Sequence, residues 1–384
     1  MQLEQLKDIF SDCKEKTLFG RYVHNDHILP LLEKLRNHFQ VSRIGSSVNG
    51  ASIHSILLGH GDKKILMWSQ MHGNESTTTK AIFDLLNAFV KRNDDLDSIL
   101  KNCTLLIIPI LNPDGAKTYV RANANDIDLN RDAQDLSQPE SLVLRKTFEA
   151  FKPDFCFNLH GQRTIFGAGN ANKSATVSFL APSQDKKCTV TQNRKIAMEI
   201  ICKMNEFLQI QIPSQVGIYD DTFNINCVGD TFQSFGVPTI LFEAGHFTDD
   251  YHREITREFI FQSYIVSLNY IAISNIDGSL HTPYFDIPLN QKNFFDIIIK
   301  NALVNPSENI ISDIGILYKE ELIDGNINFI PKIEKISNLQ NFYGHKITDA
   351  NETLVETINS KPIFEGYEND FVLINREYFS LKPK

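Results

Sequence analysis

No apolar run in the 384-residue chain approaches the roughly 20 residues that cross a bilayer, so no membrane role is expected. Positive charge is not in surplus: 38 Lys and Arg face 47 Asp and Glu, a formal net charge of −9. Without a basic stripe, a nucleic-acid partner is not expected either. The six cysteines (Cys13, Cys103, Cys156, Cys188, Cys202 and Cys227) include no Cys-x-x-Cys pair. Cys103 and Cys156 lie beside or inside apolar runs, the setting of buried thiols rather than disulfides. The stretch from Met1 to Lys16 is polar and lacks the apolar core of a secretory signal. These absences together predict a cytoplasmic, reduced protein. Internal repeats and low-complexity tracts are missing too.

What remains is the composition of an ordinary globular protein, 42% hydrophobic and 22% charged. Its length suits one large domain and a smaller one. Helical spacing of apolar residues predicts helices over 27–39, 76–91, 137–151, 191–208 and 257–273. Residues 41–58 read as two strands. Four further apolar runs end in polar residues. Ile65-Leu66-Met67-Trp68 leads to His72-Gly73-Asn74-Glu75. Leu105 to Leu111 leads to Asn112-Pro113-Asp114-Gly115. Phe155 to Leu159 leads to His160-Gly161, and Thr239 to Phe242 leads to Glu243-Ala244-Gly245. Continuous apolar runs of this length predict strands buried on both faces, as in parallel sheets. Alternation with helices predicts an α/β fold. In such sheets ligands bind beyond the carboxyl ends of the strands, which is where His72, Glu75, His160 and Glu243 fall. A linker is expected over 274–283. Beyond it the short runs 294–299, 310–318, 327–333 and 371–374 predict a small β-rich domain.

His72 and Glu75 are the sharpest feature. Three residues apart, where a strand gives way to a helix, both can point at one cation. A neutral nitrogen and a hard oxygen suit zinc, and a catalytic zinc needs three protein ligands and one open position. The pair alone is a weak signal, so the rest of the chain must supply the third ligand.

The set formed by His72-Gly73-Asn74-Glu75, Asn112-Pro113-Asp114-Gly115, Arg121, Asp128-Leu129-Asn130-Arg131, Asn158-Leu159-His160 and Phe242-Glu243 resembles the zinc carboxypeptidases of the carboxypeptidase A type. Ile44-Gly45-Ser46 belongs to the same pattern, which covers the first two thirds of the chain. The resemblance implies a mixed, mostly parallel sheet flanked by helices as a catalytic domain over 1–275, followed by the β-rich domain over 284–384. It implies one zinc per chain, held by His72, Glu75 and His160, with Asp128 orienting the His72 imidazole. Glu243 is implied as the general base and Arg121 as the group that polarises the scissile carbonyl. Asn130 and Arg131 are implied to grip the terminal carboxylate of a peptide substrate. Tyr219 is the candidate for the tyrosine that covers the substrate.

The sequence departs from better-known members at Asn74, where many carry arginine, and at Asp132, where many carry asparagine. The specificity residue is expected near Cys227 to Asp230. Val228 there implies an apolar pocket and Asp230 a basic-residue pocket, and the sequence does not choose. Bland readings are preferred elsewhere. His246 is taken as structural or as a rim residue, Arg163 as a surface ion pair, and Asn112 to Gly115 as a turn that places the next segment. Gly167-Ala168-Gly169 is not a dinucleotide loop, because Asn172 stands at the third glycine position. Two other functions compete with the peptidase: a zinc deacylase of N-acyl amino acids of the aspartoacylase and succinylglutamate desuccinylase type, and a catalytically dead binding protein. Oligomeric state is not legible.

Overall fold

The computed structural model describes residues 2–91 and 96–383. The four long apolar runs form the middle of an eight-stranded mixed sheet. In spatial order its strands are Gln40–Ser46, Ser52–Gly59, Cys103–Ile108, Lys63–Ser69, Phe155–Gly161, Thr239–Ala244, Val177–Leu180 and Val216–Ile218. The four central strands, Cys103–Ile108 through Thr239–Ala244, are mutually parallel. Antiparallel pairs lie to either side of them.

Lys63–Ser69 shows why these runs carry no polar alternation. Ile65 and Met67 face a core packed by Ile82, Leu85 and Leu86 of the helix Thr77–Val90 and by Tyr264 and Ile265 of Glu254–Ile273. Leu66 and Trp68 face the other way, against Leu144 and Phe148 of Pro139–Phe151 and Phe232 of Val228–Ser234. Both faces of the strand are covered, so each position from Ile65 to Trp68 is apolar.

The β-rich C-terminal region carries a four-stranded sheet ordered Asn326–Ser337, Ile310–Ile323, Phe294–Asn305, Tyr343–Asp349, and a small three-stranded sheet. Its core is its own, built on Ile297, Ile314, Ile333 and Val372. One short strand reaches back: Asn290–Lys292 pairs antiparallel with Phe166–Ala168, just downstream of His160. Gly167 and Ala168 are therefore strand residues. Among the described residues no helix is long and apolar enough to cross a membrane.

Candidate metal centre

His72 and Glu75 do not share a helical face as expected. Ser69 ends the strand and Thr77 begins the helix. Between them the chain makes a turn, closed by the Glu75 amide donating to the His72 carbonyl at 3.1 Å. The turn brings the two side chains together all the same, with His72 Nδ1 2.9 Å from Glu75 Oε1. It is braced from below by the Asn112 to Gly115 segment. The Asn112 side chain caps the helix Pro113–Thr118 and donates to the carbonyls of Met71 and Ala122. Gly73 lies so close to the Gly115 backbone that a Cβ would meet it at 1.9 Å, so only glycine fits.

His160 comes from the end of the adjacent strand. Its Nδ1 lies 2.9 Å from Glu75 Oε2 and 3.1 Å from His72 Nδ1. These three side chains are the one group among the described residues whose donor atoms converge closely enough to hold a metal ion, all within 4.8 Å of one another. Both imidazoles are 2% exposed. The second nitrogen of His72, Nε2, meets Asp128 Oδ1 at 2.9 Å. With the ring proton on Nε2, Nδ1 turns a bare lone pair toward the carboxylate and toward the other imidazole. Lone pairs crowded at this distance repel unless a cation lies among them. The two-nitrogen, one-carboxylate set suits zinc.

Burial alone would depress the His72 imidazole, but the Glu75 and Asp128 carboxylates outweigh it and raise its pKa. Burial would likewise raise Glu75, yet the two histidines hold it well below the usual carboxylate range. His160 is lowered, chiefly by burial.

The remaining candidates surround this triad. Arg121 forks onto Asp128 Oδ2 through Nε (3.1 Å) and Nη2 (3.0 Å), and its Nη1 approaches Glu75 at 3.5 Å. Asp128 also caps the turn that carries Asn130 and Arg131 by accepting the Asn130 amide. Asn130 Oδ1 accepts the Val228 amide, which leaves its NH2 end as the donor. Glu243 is the register partner of His160 on the neighbouring strand. It is 9% exposed, and its Oε2 has no hydrogen-bond partner among the described residues. Burial and the nearby Glu75 charge push its pKa well above the carboxylate range, against the pull of Arg121.

A cavity of about 520 Å³ joins these groups: His72, Glu75, Arg121, Asn130, Arg131, His160, Tyr219 and Glu243 all line it. Tyr219 packs on Phe166, ring centroids 5.3 Å apart. Cys227, Gly229 and Asp230 line it as well, whereas Val228 packs into the core with Phe232. Burial pushes the Asp230 carboxyl up to about 7.

Asp132, Arg163 and His246 fall in three different settings. Asp132 caps the approach to the helix Pro139–Phe151, accepting the amides of Ser137 and Gln138. Arg163 is exposed but lines the cavity and has no ion-pair partner among the described residues, which replaces the expected surface pair. His246 is 1% exposed, packed between Tyr251 and His345, and is absent from the lining. Gln162 and Phe166 were missed as cavity residues. Their only sequence signal is proximity to His160.

Residues 28–186 match a family described as zinc carboxypeptidase. The probable carboxypeptidase 2 of Arthroderma benhamiae is 26% identical over 125 residues, 32% of this chain and 22% of that protein. The chain spans from about a fifth to about two fifths of the length of the curated relatives it matches. A putative carboxypeptidase A from Shewanella denitrificans shares the fold with a TM-score of 0.55 at 17% identity, over 64% of this chain and 68% of that one. The carboxypeptidase A of Helicoverpa armigera does so with a TM-score of 0.52 at 16% identity, over 71% and 81%. Residues 28–186, which carry the His-x-x-Glu turn and the second histidine, are thus similar to the zinc carboxypeptidase family.

Proposed function

We propose that the chain is a zinc-dependent metallocarboxypeptidase that hydrolyses the C-terminal peptide bond of peptides, with one zinc held by His72, Glu75 and His160. When bound, zinc lowers the pKa of a water to about 7 and polarises a carbonyl oxygen. Glu243 then acts as general base, taking the proton of the attacking water and handing it to the leaving amine. Its unpartnered Oε2 and its raised pKa suit that double role. Arg121 meets the negative charge that develops on the scissile carbonyl oxygen. Asn130, through its NH2 end, and Arg131, through its planar guanidinium, receive the terminal carboxylate. Tyr219 covers the substrate.

The observation that carries this reading is the register of Glu243 against His160, a buried carboxylate beside the candidate metal triad in one cavity with Asn130 and Arg131. Asp230, lining the same cavity, supports a basic side chain as the preferred C-terminal residue. We assign 1–275 to the catalytic domain and 284–384 to the smaller one, whose sheets pack on a core of their own from Ile297 onward while Tyr284 and Ile287 pack into the larger core. A cytoplasmic setting is supported by six free cysteines.

The test is metal content together with amino-acid release from a mixed peptide library, by the wild type and by Glu243→Gln. One zinc per chain with sequential C-terminal release, lost in the variant while zinc is kept, is the expected result. Zinc without release from any peptide sinks the carboxypeptidase reading and moves the assignment to an N-acyl amino acid deacylase.

A further inference from the structure

Among the described residues the C-terminal region supplies none to the cavity lining, yet one of its carboxylates reaches behind the segments that build the site. Arg253, ahead of the helix Glu254–Ile273, is 1% exposed and sits in the left-handed region at φ 59°. Its Nη2 donates to the carbonyl of Gln162 at 3.0 Å, two residues beyond His160. Its other two guanidinium nitrogens meet no acceptor among the described residues. The charge of Arg21, a side chain 11% exposed, acts on Arg253 as repulsion. The Arg21 carbonyl accepts the Ser76 hydroxyl at 2.5 Å, one residue beyond Glu75.

Two like charges buried together need a counter-charge. Asp250 contributes at a distance, but its oxygens are spent on the amides of Glu254, Ile255 and Thr256. The carboxylate that pairs with Arg21 is Glu320, on the strand Ile310–Ile323 of the C-terminal sheet, and its charge also acts on Arg253 without touching it. Its Oε1 lies 3.1 Å from Arg21 Nη1. Its Oε2 accepts the hydroxyl of Tyr119, two residues before Arg121. One side chain of the C-terminal region therefore reaches the segments carrying Glu75 and Arg121 by contact, through Arg21 and Tyr119, and the segment carrying His160 by charge, through Arg253.

We propose that Glu320 is a positioning residue, the counter-charge of a buried arginine pair that holds these three segments in register with one another. The C-terminal region then serves the reaction from behind without touching substrate. The catalytic part of this proposal rests on the carboxypeptidase reading; the structural part does not. Glu320→Gln keeps the shape and an acceptor for Tyr119 but removes the charge. Glu320→Asp keeps the charge on a shorter stem. Glu321→Gln, on the same strand and paired only with exposed Lys319, is the control.

Hydrogen exchange of the full-length chain and steady-state kinetics are measured for all three. Glu320→Gln is expected to speed exchange over 119–123 and 161–166 and leave 294–305 unchanged. It should lower kcat by roughly tenfold to a hundredfold, the cost of misplacing reacting groups by up to an ångström, with KM and zinc content nearly constant. Glu320→Asp should recover part of both effects, and Glu321→Gln should show neither. Unchanged exchange in both segments overturns the proposal. So does faster exchange that extends through 294–305, which makes Glu320 a docking contact only. Faster exchange in the two segments of a chain that cleaves no peptide leaves the positioning role standing and removes the carboxypeptidase reading instead.

Discussion

His72 and Asp128 meet Nε2 to Oδ1 at 2.9 Å, and that contact decides which ring nitrogen faces Glu75 and His160. The same carboxylate takes the Arg121 fork and the Asn130 amide, so it orients a candidate ligand and its neighbours at once. Burial would raise its pKa, but His72 and Arg121 hold it well below the carboxylate range. Asp128→Asn keeps the shape and the turn cap while losing the charge. Zinc affinity should fall by roughly tenfold to a hundredfold, as for other partners of metal-bound histidines. Competition against a chromophoric chelator measures it, and an unchanged affinity removes Asp128 from the metal site.

Arg131 lines the cavity and spends one nitrogen, Nη1, on the Asn130 carbonyl at 2.7 Å. Its other donors are left for the chain end that the proposed function assigns to it. Arg131→Ala should raise KM by roughly tenfold or more for peptides with a free terminal carboxylate, the worth of a charge-assisted hydrogen bond. Peptides amidated at that end should be cleaved poorly by both proteins. Equal losses on free and amidated substrates would undo the assignment.

Much of this arrangement was legible from the chain because each candidate follows a run that had to become a central strand. Leu66 and Trp68 are apolar on one face and Ile65 and Met67 on the other, so the carboxyl edge beyond them could be placed, and His72 with it. The same logic located His160 and Glu243. Asp132 was opaque because its partners, Ser137 and Gln138, were expected inside a helix over 137–151, whereas the helix begins at Pro139 and leaves their amides to be capped. Glu320 was opaque for a stronger reason: Tyr119 is 201 residues away in sequence, and no local pattern encodes a contact at that separation. The strands Phe166–Ala168, Val177–Leu180 and Val216–Ile218 are three or four residues long, too short to show a period. The choice between Val228 and Asp230 needed the helix Val228–Ser234, which turns the first into the core and leaves the second on the cavity.

That choice has a consequence for substrates. Asp230 is raised to about 7, first by burial, with the Asn224 amide and the charges of Arg131 and Arg194 pulling the other way. A cationic side chain entering the cavity supplies the charge that an ionised Asp230 lacks. Peptides ending in lysine or arginine should therefore be preferred over those ending in leucine, and more so as pH rises through 7. Asp230→Asn should erase that preference with kcat/KM for leucine peptides little changed. A variant that retains the basic preference places the specificity elsewhere in the cavity.

Asp296 gives a pH dependence of stability that is separate from the reaction. It is fully enclosed where the C-terminal sheet meets the larger body, accepting the Tyr318 amide at 2.8 Å, the Tyr251 hydroxyl at 3.0 Å and the Thr164 hydroxyl at 3.2 Å. Burial outweighs these donors and raises its pKa to about 6 from an ordinary 3.8. The folded state therefore binds this proton more tightly than the unfolded chain does. Where the native state holds more protons, stability falls as pH rises. The fall begins near the unfolded value, about 4, and is complete above the folded value, about 6. A shift of about two units corresponds to about 3 kcal/mol at most. Asp296→Asn keeps the shape and can still accept the Tyr318 amide without carrying a charge. Urea midpoints of the two proteins should thus diverge in favour of the asparagine variant between pH 4 and 6 and run parallel above 7. A constant difference across that window would show that Asp296 is charged in the folded protein throughout.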